Sequence, residues 1–356
     1  MAPPIDELVA EGRIGGRTVR IVDTGDVECG TYPVAPLRDG HVRVRTVRSA
    51  ISPGTEMTFY GKSATNVYLH KTWDESLRLF VAGTPSATYP LTFGYRAAGE
   101  VVESGVDDVP VGSRVFGSWR HTEYTALEAD AARRQALPAD LSWDDGVDVA
   151  QMGPICVNAV AYAEGEHEGG VAVVFGAGPV GLLTAQIARA AGAATVHVVD
   201  RIRSRLAIAE RLGFRTVEAA PDVDVAVTLK REHGSEGIAV AFECTGSARA
   251  LHEGIRTVRR RGTVVAVGFY QGQAEGLFLG DEFHHNGIAV RCGQIGNVHP
   301  AWTWDRLRAR TIELATSGQL VLGGLPRTTL PVERVAEGFA ALGRPDEVLQ
   351  VVLSYD

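Results

Sequence analysis

The stretch Gly176-Ala177-Gly178-Pro179-Val180-Gly181 carries the residue types and spacing that most directly imply chemistry. It is a GxGxxG turn. The apolar run VAVVF precedes it and an apolar helical stretch, PVGLLTAQIARAAG, contains its end. A second apolar run, TVHVVD, ends in an acid, Asp200, which lies 19 positions beyond Gly181. Strand, glycine turn, helix and acid in that order are the fingerprint of a dinucleotide site. Gly176 permits the tight turn, Gly178 lets a pyrophosphate approach the backbone, and Gly181 lets helix and strand pack closely. Pro179 and Val180 open the helix, whose free N–H groups and positive dipole end suit phosphates. Asp200 can accept hydrogen bonds from an adenosine ribose diol, which favours NAD over NADP. Arg201, Arg203 and Arg205 blunt that preference, since one of them could stack on adenine or accept a 2′-phosphate. Arg203 reads better as part of a solvated helix start. Thr245-Gly246 after IAVAFEC, and Gly268-Phe269 after TVVAV, stand where strand ends open toward a cofactor. Either pair could equally be an ordinary strand exit.

These residues need a frame, and the pattern around them supplies one. From about residue 155 apolar strands alternate with amphipathic helices: VAVVF, TVHVVD, IAVAFECTG, TVVAVGF and GIAVRCGQIG are strands, and VDVAVTL reads as one more. Such alternation predicts a parallel sheet covered on both faces. Before it, residues 17–47 and 97–127 read as short strands broken by glycine and proline, the rhythm of a compact β domain. Asp144 to Glu164 reads as one helix. After residue 298 come two amphipathic helices and a closing strand, VLQVVLSY.

Composition narrows the function. The mass is 38.0 kDa, enough for two domains, with 45% hydrophobic and 22% charged residues, as in an ordinary globular protein. A net charge of −8 argues against nucleic acid or an anionic membrane as partner. The longest uncharged run, Gly169 to Ala188, is too rich in glycine to span a membrane. The four cysteines are scattered and form no CxxC pair, so neither a disulfide framework nor a zinc finger is expected. With no apolar signal core near Met1, a reducing cytoplasmic compartment is the expectation.

The motifs SAISPGTE (49–56), FGYRAAGEVVESG (93–105), VGSRVFG (111–117), VVFGAGPVGLL (173–183), FECTGS (242–247) and TVVAVGF (263–269) together resemble the medium-chain dehydrogenase/reductase superfamily. The resemblance runs over nearly the whole chain. It implies an α/β protein: a GroES-like, mostly-β catalytic domain (1–154, with an insertion at 57–92), a Rossmann doubly wound parallel-sheet domain (155–297), and a return to the catalytic domain (298–356). It also implies hydride transfer to or from a nicotinamide.

The same resemblance exposes a departure. Zinc-dependent members carry Cys-Gly-[Ser/Thr]-Asp where this chain has Pro53-Gly54-Thr55-Glu56, and Gly-His-Glu where it has Gly94-Tyr95-Arg96. Their third ligand falls near Gly153, and the four-cysteine structural lobe is absent. A catalytic zinc takes three protein ligands, so no metal is expected. SPGTE, Gly94-Tyr95 and FHHNGIAVRCGQIG (283–296) resemble a zinc-less branch that includes bacteriochlorophyllide dehydrogenases and sugar, polyol or cyclitol dehydrogenases.

Without zinc a side chain must exchange the alcohol proton. Tyr95 stands in a vacated ligand slot. Its ordinary pKa of about 10 is high for a base, and Arg96 is the cation that could lower it. A plug filling the space left by zinc is the competing reading. Thr55 matches the family's proton-relay hydroxyl. Pro53 and Tyr95 lie 42 positions apart, and the extra length between them carries Tyr60, Lys62 and His70. His70 is a second candidate base, and the segment could be a substrate lid or a plain surface loop. Glu56, Tyr60, Lys62, Trp119, His121 and Asn158 are the candidate substrate contacts, with His121 reading better as structural and Asn158 equally as helix packing. The expected function is NAD-dependent, zinc-independent oxidoreduction of a secondary alcohol or ketone on a sugar, cyclitol or ring-bearing metabolite. The alternatives are an NADPH-dependent enoyl or quinone reductase, which Asp200 disfavours, and a non-catalytic dinucleotide sensor. The edge strand near 287–293 is the expected seam of a homodimer.

Overall fold

The computed structural model describes residues 15–61 and 63–356, which separate into two compact units. The first comprises the described residues up to Gln151 together with Arg327–Arg344 and Gln350–Asp356. The second comprises Met152–Pro326 and Pro345–Leu349.

The first unit begins with strands β1 (Gly15–Asp23), β2 (Asp26–Pro33) and β3 (His41–Ile51). A short helix, α1 (Thr55–Gly61), follows. Next come a small hairpin, β4 (Thr72–Asp74) and β5 (Leu79–Val81), and strands β6 (Leu91–Thr92), β7 (Ala97–Ser104), β8 (Arg114–Gly117) and β9 (Tyr124–Glu128). β1 pairs with β2 and β6 in one sheet, while β3 pairs with both β7 and β9 in another. Val42, Val44, Ala97, Val101, Val115 and Trp119 form a core over these strands. Helices α2 (Ala129–Arg134) and α3 (Trp143–Val147) close this part.

The single helix expected over 144–164 is interrupted. A wider π turn at Asp148–Met152 separates α3 from α4 (Gly153–Ala161). Pro154 lacks the N–H that a continuous α-helix needs there.

In the second unit β10 (Val171–Phe175), β11 (Thr195–Asp200), β12 (Arg215–Glu218), β13 (Ile238–Glu243), β14 (Thr263–Ala266) and β15 (Ala289–Cys292) form an all-parallel sheet in the order 12-11-10-13-14-15. Between them run α5 (Pro179–Ala190), α6 (Arg203–Arg211), α7 (Val225–His233) and α8 (Ala248–Thr257). VDVAVTL is therefore a helix rather than a strand. The Asp224 carboxylate caps it by accepting the Val227 N–H at 2.9 Å. Val225, Ala226 and Leu229 are buried, whereas Val223 and Val227 are exposed, which is helical and not alternating spacing.

Helix α9 (Trp304–Thr316) also belongs to the second unit, so the return to the first begins at Arg327 and not at 298. The reason is packing on α4: a Cβ on Gly153 would lie 2.2 Å from Thr311 Cγ2. The return adds β16 (Thr328–Pro331), α10 (Val335–Leu342) and β17 (Val351–Ser354), and β17 pairs with β3. Among the described residues no helix is long and apolar enough to cross a membrane.

Candidate active site

In the second unit the glycine turn sits at the C-terminal end of β10. Gly176 has φ +102°, a conformation that favours glycine, and its N–H donates to Val199 O at 2.7 Å. A Cβ on Gly181 would lie 1.7 Å from Gly176 O, so only glycine lets α5 start so close to the strand. Gly178 precedes Pro179 at the helix start and offers no side-chain cap, which leaves the first N–H groups free for an anion. Asp200 closes the turn. Its Oδ2 accepts the Ala177 N–H at 2.6 Å and its Oδ1 accepts the Ile202 N–H at 2.8 Å. Each oxygen keeps a second lone pair for a ribose hydroxyl. Of the three arginines, Arg205 reaches the turn: its Nη1 lies 3.7 Å from where a Gly178 Cβ would stand. Arg203 is paired with Glu210 on the surface, and Arg201 is exposed.

Thr245-Gly246 and Gly268-Phe269 come together. Beneath them lies Glu243, a residue the sequence reading passed over. Its fully buried carboxylate accepts the N–H groups of Thr245 at 2.7 Å and Gly246 at 3.0 Å, and the Thr245 and Tyr270 hydroxyls. Burial pushes its pKa up, while these donors pull it back. An acid ending the apolar run IAVAFE was the signal. These groups fit a nicotinamide dinucleotide: an uncapped helix start, a carboxylate with free lone pairs and a nearby guanidinium.

In the first unit Ser52, Thr55, Glu56, Tyr95 and His121 form one cluster. Glu56 and His121 are both fully buried, with His121 Nε2 2.9 Å from Glu56 Oε2. Glu56 Oε1 accepts the Ser52 N–H at 3.1 Å. On the other side, His121 Nδ1 lies 2.7 Å from Ser49 Oγ, which lies 3.2 Å from the Tyr355 hydroxyl. Strand pairing and the His121 N–H donated to Phe93 O at 2.8 Å fix these side chains.

Tyr95 is half-buried and its pKa is raised. Burial is the main cause and the Glu56 charge adds to it; hydrogen bonds from Ser52 and Thr55 pull the other way. The Arg96 charge does act to lower the Tyr95 pKa, as expected, but burial and the Glu56 charge outweigh it, so the phenol stays protonated. The Arg96 guanidinium, fully buried, donates to Ala50 O at 3.2 Å, Ile51 O at 2.9 Å and Asp148 Oδ1 at 3.1 Å, so its donors are committed to the core.

Other candidates are drawn into packing. Trp119 is buried, and its Nε1–H donates to Thr46 Oγ1 at 2.9 Å, so it is core rather than substrate contact. Asn158 is fully buried. Its amide donates to Gly293 O at 3.1 Å and Asn297 O at 3.2 Å, and its oxygen accepts the His299 N–H at 2.8 Å, which clamps a loop. The Tyr60 ring packs on Phe339 of α10 with centroids 4.9 Å apart. His70 is exposed beside Pro85 and Thr88, lining a groove that does not include Tyr95. Lys62 lies outside the described residues.

The zinc-ligand positions do not fit a catalytic zinc. Pro53 has no side-chain donor, Tyr95 presents a phenol kept protonated, and the Gly153 position is filled by Thr311. Among the described residues, the His, Cys and carboxylate groups that converge as a metal set lie elsewhere.

Comparisons with known proteins bear on the fold and on the likeness to alcohol and polyol dehydrogenases, not on whether zinc is bound. The zinc-binding dehydrogenase family profile matches residues 179–306, a stretch that contains none of Pro53, Tyr95 or Gly153. D-guloside 3-dehydrogenase of Escherichia coli K12 is 28% identical over 293 residues, covering 78% of this chain and 82% of that protein. Over most of its length the chain is similar to proteins of the medium-chain dehydrogenase/reductase superfamily. (R,R)-butanediol dehydrogenase of Bacillus subtilis is 30% identical over 234 residues, 57% of this chain and 64% of that protein. The crystal structure of 2R,3R-butanediol dehydrogenase from Bacillus subtilis superposes with a TM-score of 0.76 at 22% identity, covering 96% of this chain and 100% of that one. The two units thus have the GroES-like and Rossmann folds of this superfamily.

Proposed function

We propose that this dehydrogenase moves a hydride between NAD(H) and a secondary alcohol or ketone of a sugar, cyclitol or other ring-bearing metabolite, without catalytic zinc. The observation that carries the reading is Tyr95 in a ligand slot, flanked by Ser52, Thr55 and Glu56, while Pro53 and Gly153 offer no donor. A D-guloside and a butanediol, the compounds in the relatives' names, support the alcohol class.

A nicotinamide dinucleotide, when bound, supplies the hydride chemistry. The N-terminal N–H groups of α5 and Arg205 hold the pyrophosphate charge, and Asp200 accepts the ribose hydroxyls. The carboxylate repels a 2′-phosphate, which favours NAD. Tyr95, with its raised pKa, is protonated at neutral pH and donates a hydrogen bond to the substrate oxygen. In reduction it gives that proton to the oxygen as the C–H bond forms. The transfer is downhill, because an alcohol is a far weaker acid than a phenol. Thr55 then relays a proton from solvent back to the phenolate.

The test is NAD-linked turnover of a panel of polyols, cyclitols and their ketones after exhaustive chelation. Turnover persists if the reading is right. Turnover lost on chelation and restored by Zn2+ overturns it. We also propose a homodimer through the free edge of β15, where Val290 is 42% exposed; light scattering at one-chain mass would refute that. A cytoplasmic setting is consistent with four free cysteines.

A further inference from the structure

We infer that the second unit carries a divalent transition-metal site made by His197, Glu232 and His233, a site independent of the proposed reaction. His197 is an unusual occupant of β11, a strand otherwise lined by apolar residues and covered on both faces; it is 1% exposed. Its Nε2 points at the Nε2 of His233, 2.8 Å away, at the C-terminal end of α7. The Glu232 carboxylate stands on the same spot, with Oε1 3.4 Å from His233 Nε2. One ligand atom from each of the three residues lies within 4.8 Å of the other two.

Two facing imidazole nitrogens can share only one proton, and the His197 Nδ1 has no hydrogen-bond partner although it is buried. A metal at Nε2 leaves that Nδ1 as it is, so it is the two facing Nε2 atoms and the Glu232 carboxylate that make the site. A metal ion uses both Nε2 lone pairs at once. Two nitrogens and one carboxylate oxygen are a zinc-type set, with the fourth position left to water. Tetrahedral Zn–N bonds hold their nitrogens about 3.3 Å apart, so the two rings separate by about half an ångström. His233, at a helix end and half-buried, can supply that movement. Arg215 pairs with Glu232 but is itself 58% exposed and can swing into water. The ion would tie β11 to α7 and stabilise the sheet. It also separates two questions: zinc found in the protein would not by itself place zinc at Tyr95.

The test is calorimetric titration of untagged, chelator-treated full-length protein with Zn2+, paired with thermal melts. One Zn2+ per chain and a raised melting temperature are expected. His233→Ala, a change at a helix end that the fold tolerates, weakens uptake at least about tenfold, and His197→Gln does the same. His252→Ala, which alters the separate His252-Asp281-Glu282 cluster, leaves uptake unchanged. No saturable uptake overturns the site. So does uptake equal to wild type in His233→Ala and His197→Gln, or uptake lost only in His252→Ala.

Discussion

Replacing Arg96 with Met separates a structural arginine from one that tunes Tyr95. The wild-type guanidinium is fully buried and makes three hydrogen bonds, to Ala50 O, Ile51 O and Asp148 Oδ1. Met fills similar volume but supplies no donor. Removing one partner of a buried ion pair costs about 3–5 kcal/mol, because the other charge stays buried. Here Asp148 keeps Arg327, whose Nη2 lies 2.8 Å from Oδ2. The two bared carbonyls add to the cost, and the apolar Met offsets part of it. A loss near the low end, about 3 kcal/mol, is expected. At roughly 2–4 °C per kcal/mol for a unit of this size, calorimetry should show the affected transition about 6–12 °C lower. The pH profile of the surviving turnover should keep its shape between pH 6 and 9. Tyr95 is protonated throughout that window in both proteins, since its pKa already lies above the ordinary phenol value and removing a cation only raises it further. A loss under about 1 kcal/mol would refute the ion-pair account. An alkaline shift of a limb near neutrality would show that Arg96 holds a Tyr95 phenolate after all.

Three further outcomes are expected. Tyr95→Phe should lower turnover about 10²–10⁴-fold, the usual worth of a general acid, with NADH affinity unchanged; equal turnover would make Tyr95 a plug. Asp200→Ala should weaken NAD binding about 10–100-fold in fluorescence titration and narrow the gap to NADP, since charge-assisted hydrogen bonds to the ribose are lost. Gly181→Ala, whose methyl would meet Gly176 O, should weaken NADH binding more than about tenfold by pushing α5 off the turn; wild-type affinity would mean the turn gives way freely.

The parts legible from sequence are those whose geometry is local. Gly176 to Gly181 and Asp200 fall within one strand–turn–helix–strand unit, so their types and spacing determine what they can do. Side-chain direction at the first unit's cluster is not local. Arg96 turns to Asp148, 52 positions on, and His121 turns to Glu56, 65 positions back. Asn158 is drawn to a loop more than 130 positions later. Sequence spacing names such residues but not their partners. α7 failed for a different reason. Val223, Val225, Val227 and Leu229 alternate as a strand would, and only the Asp224 cap and the pairing of Ala226 with Leu229 in the core favour the helix.

The charge balance at Tyr95 decides what kind of chemistry the vacated slot can support. A zinc ion there would favour an alkoxide by lowering the alcohol's pKa. This chain places a buried carboxylate, Glu56, near Tyr95 instead, and its charge raises the phenol's pKa. A negative charge disfavours a phenolate and a free alkoxide alike. In reduction the substrate oxygen must then receive a proton as the hydride arrives, and in oxidation it must give one up as the hydride leaves. His121 is what makes a buried Glu56 tolerable, because its Nε2 faces Oε2 while Nδ1 is held by Ser49. Both His121 ring nitrogens have partners, Glu56 Oε2 at Nε2 and the Ser49 hydroxyl at Nδ1, so the buried chain is satisfied. Under the proposed function, Glu56, His121 and Ser49 would be positioning residues that keep Tyr95 a donor. A protonated phenol suits ketone reduction directly. Under the same proposal, alcohol oxidation would need the phenol proton moved out first, a step that the Glu56 charge makes costlier.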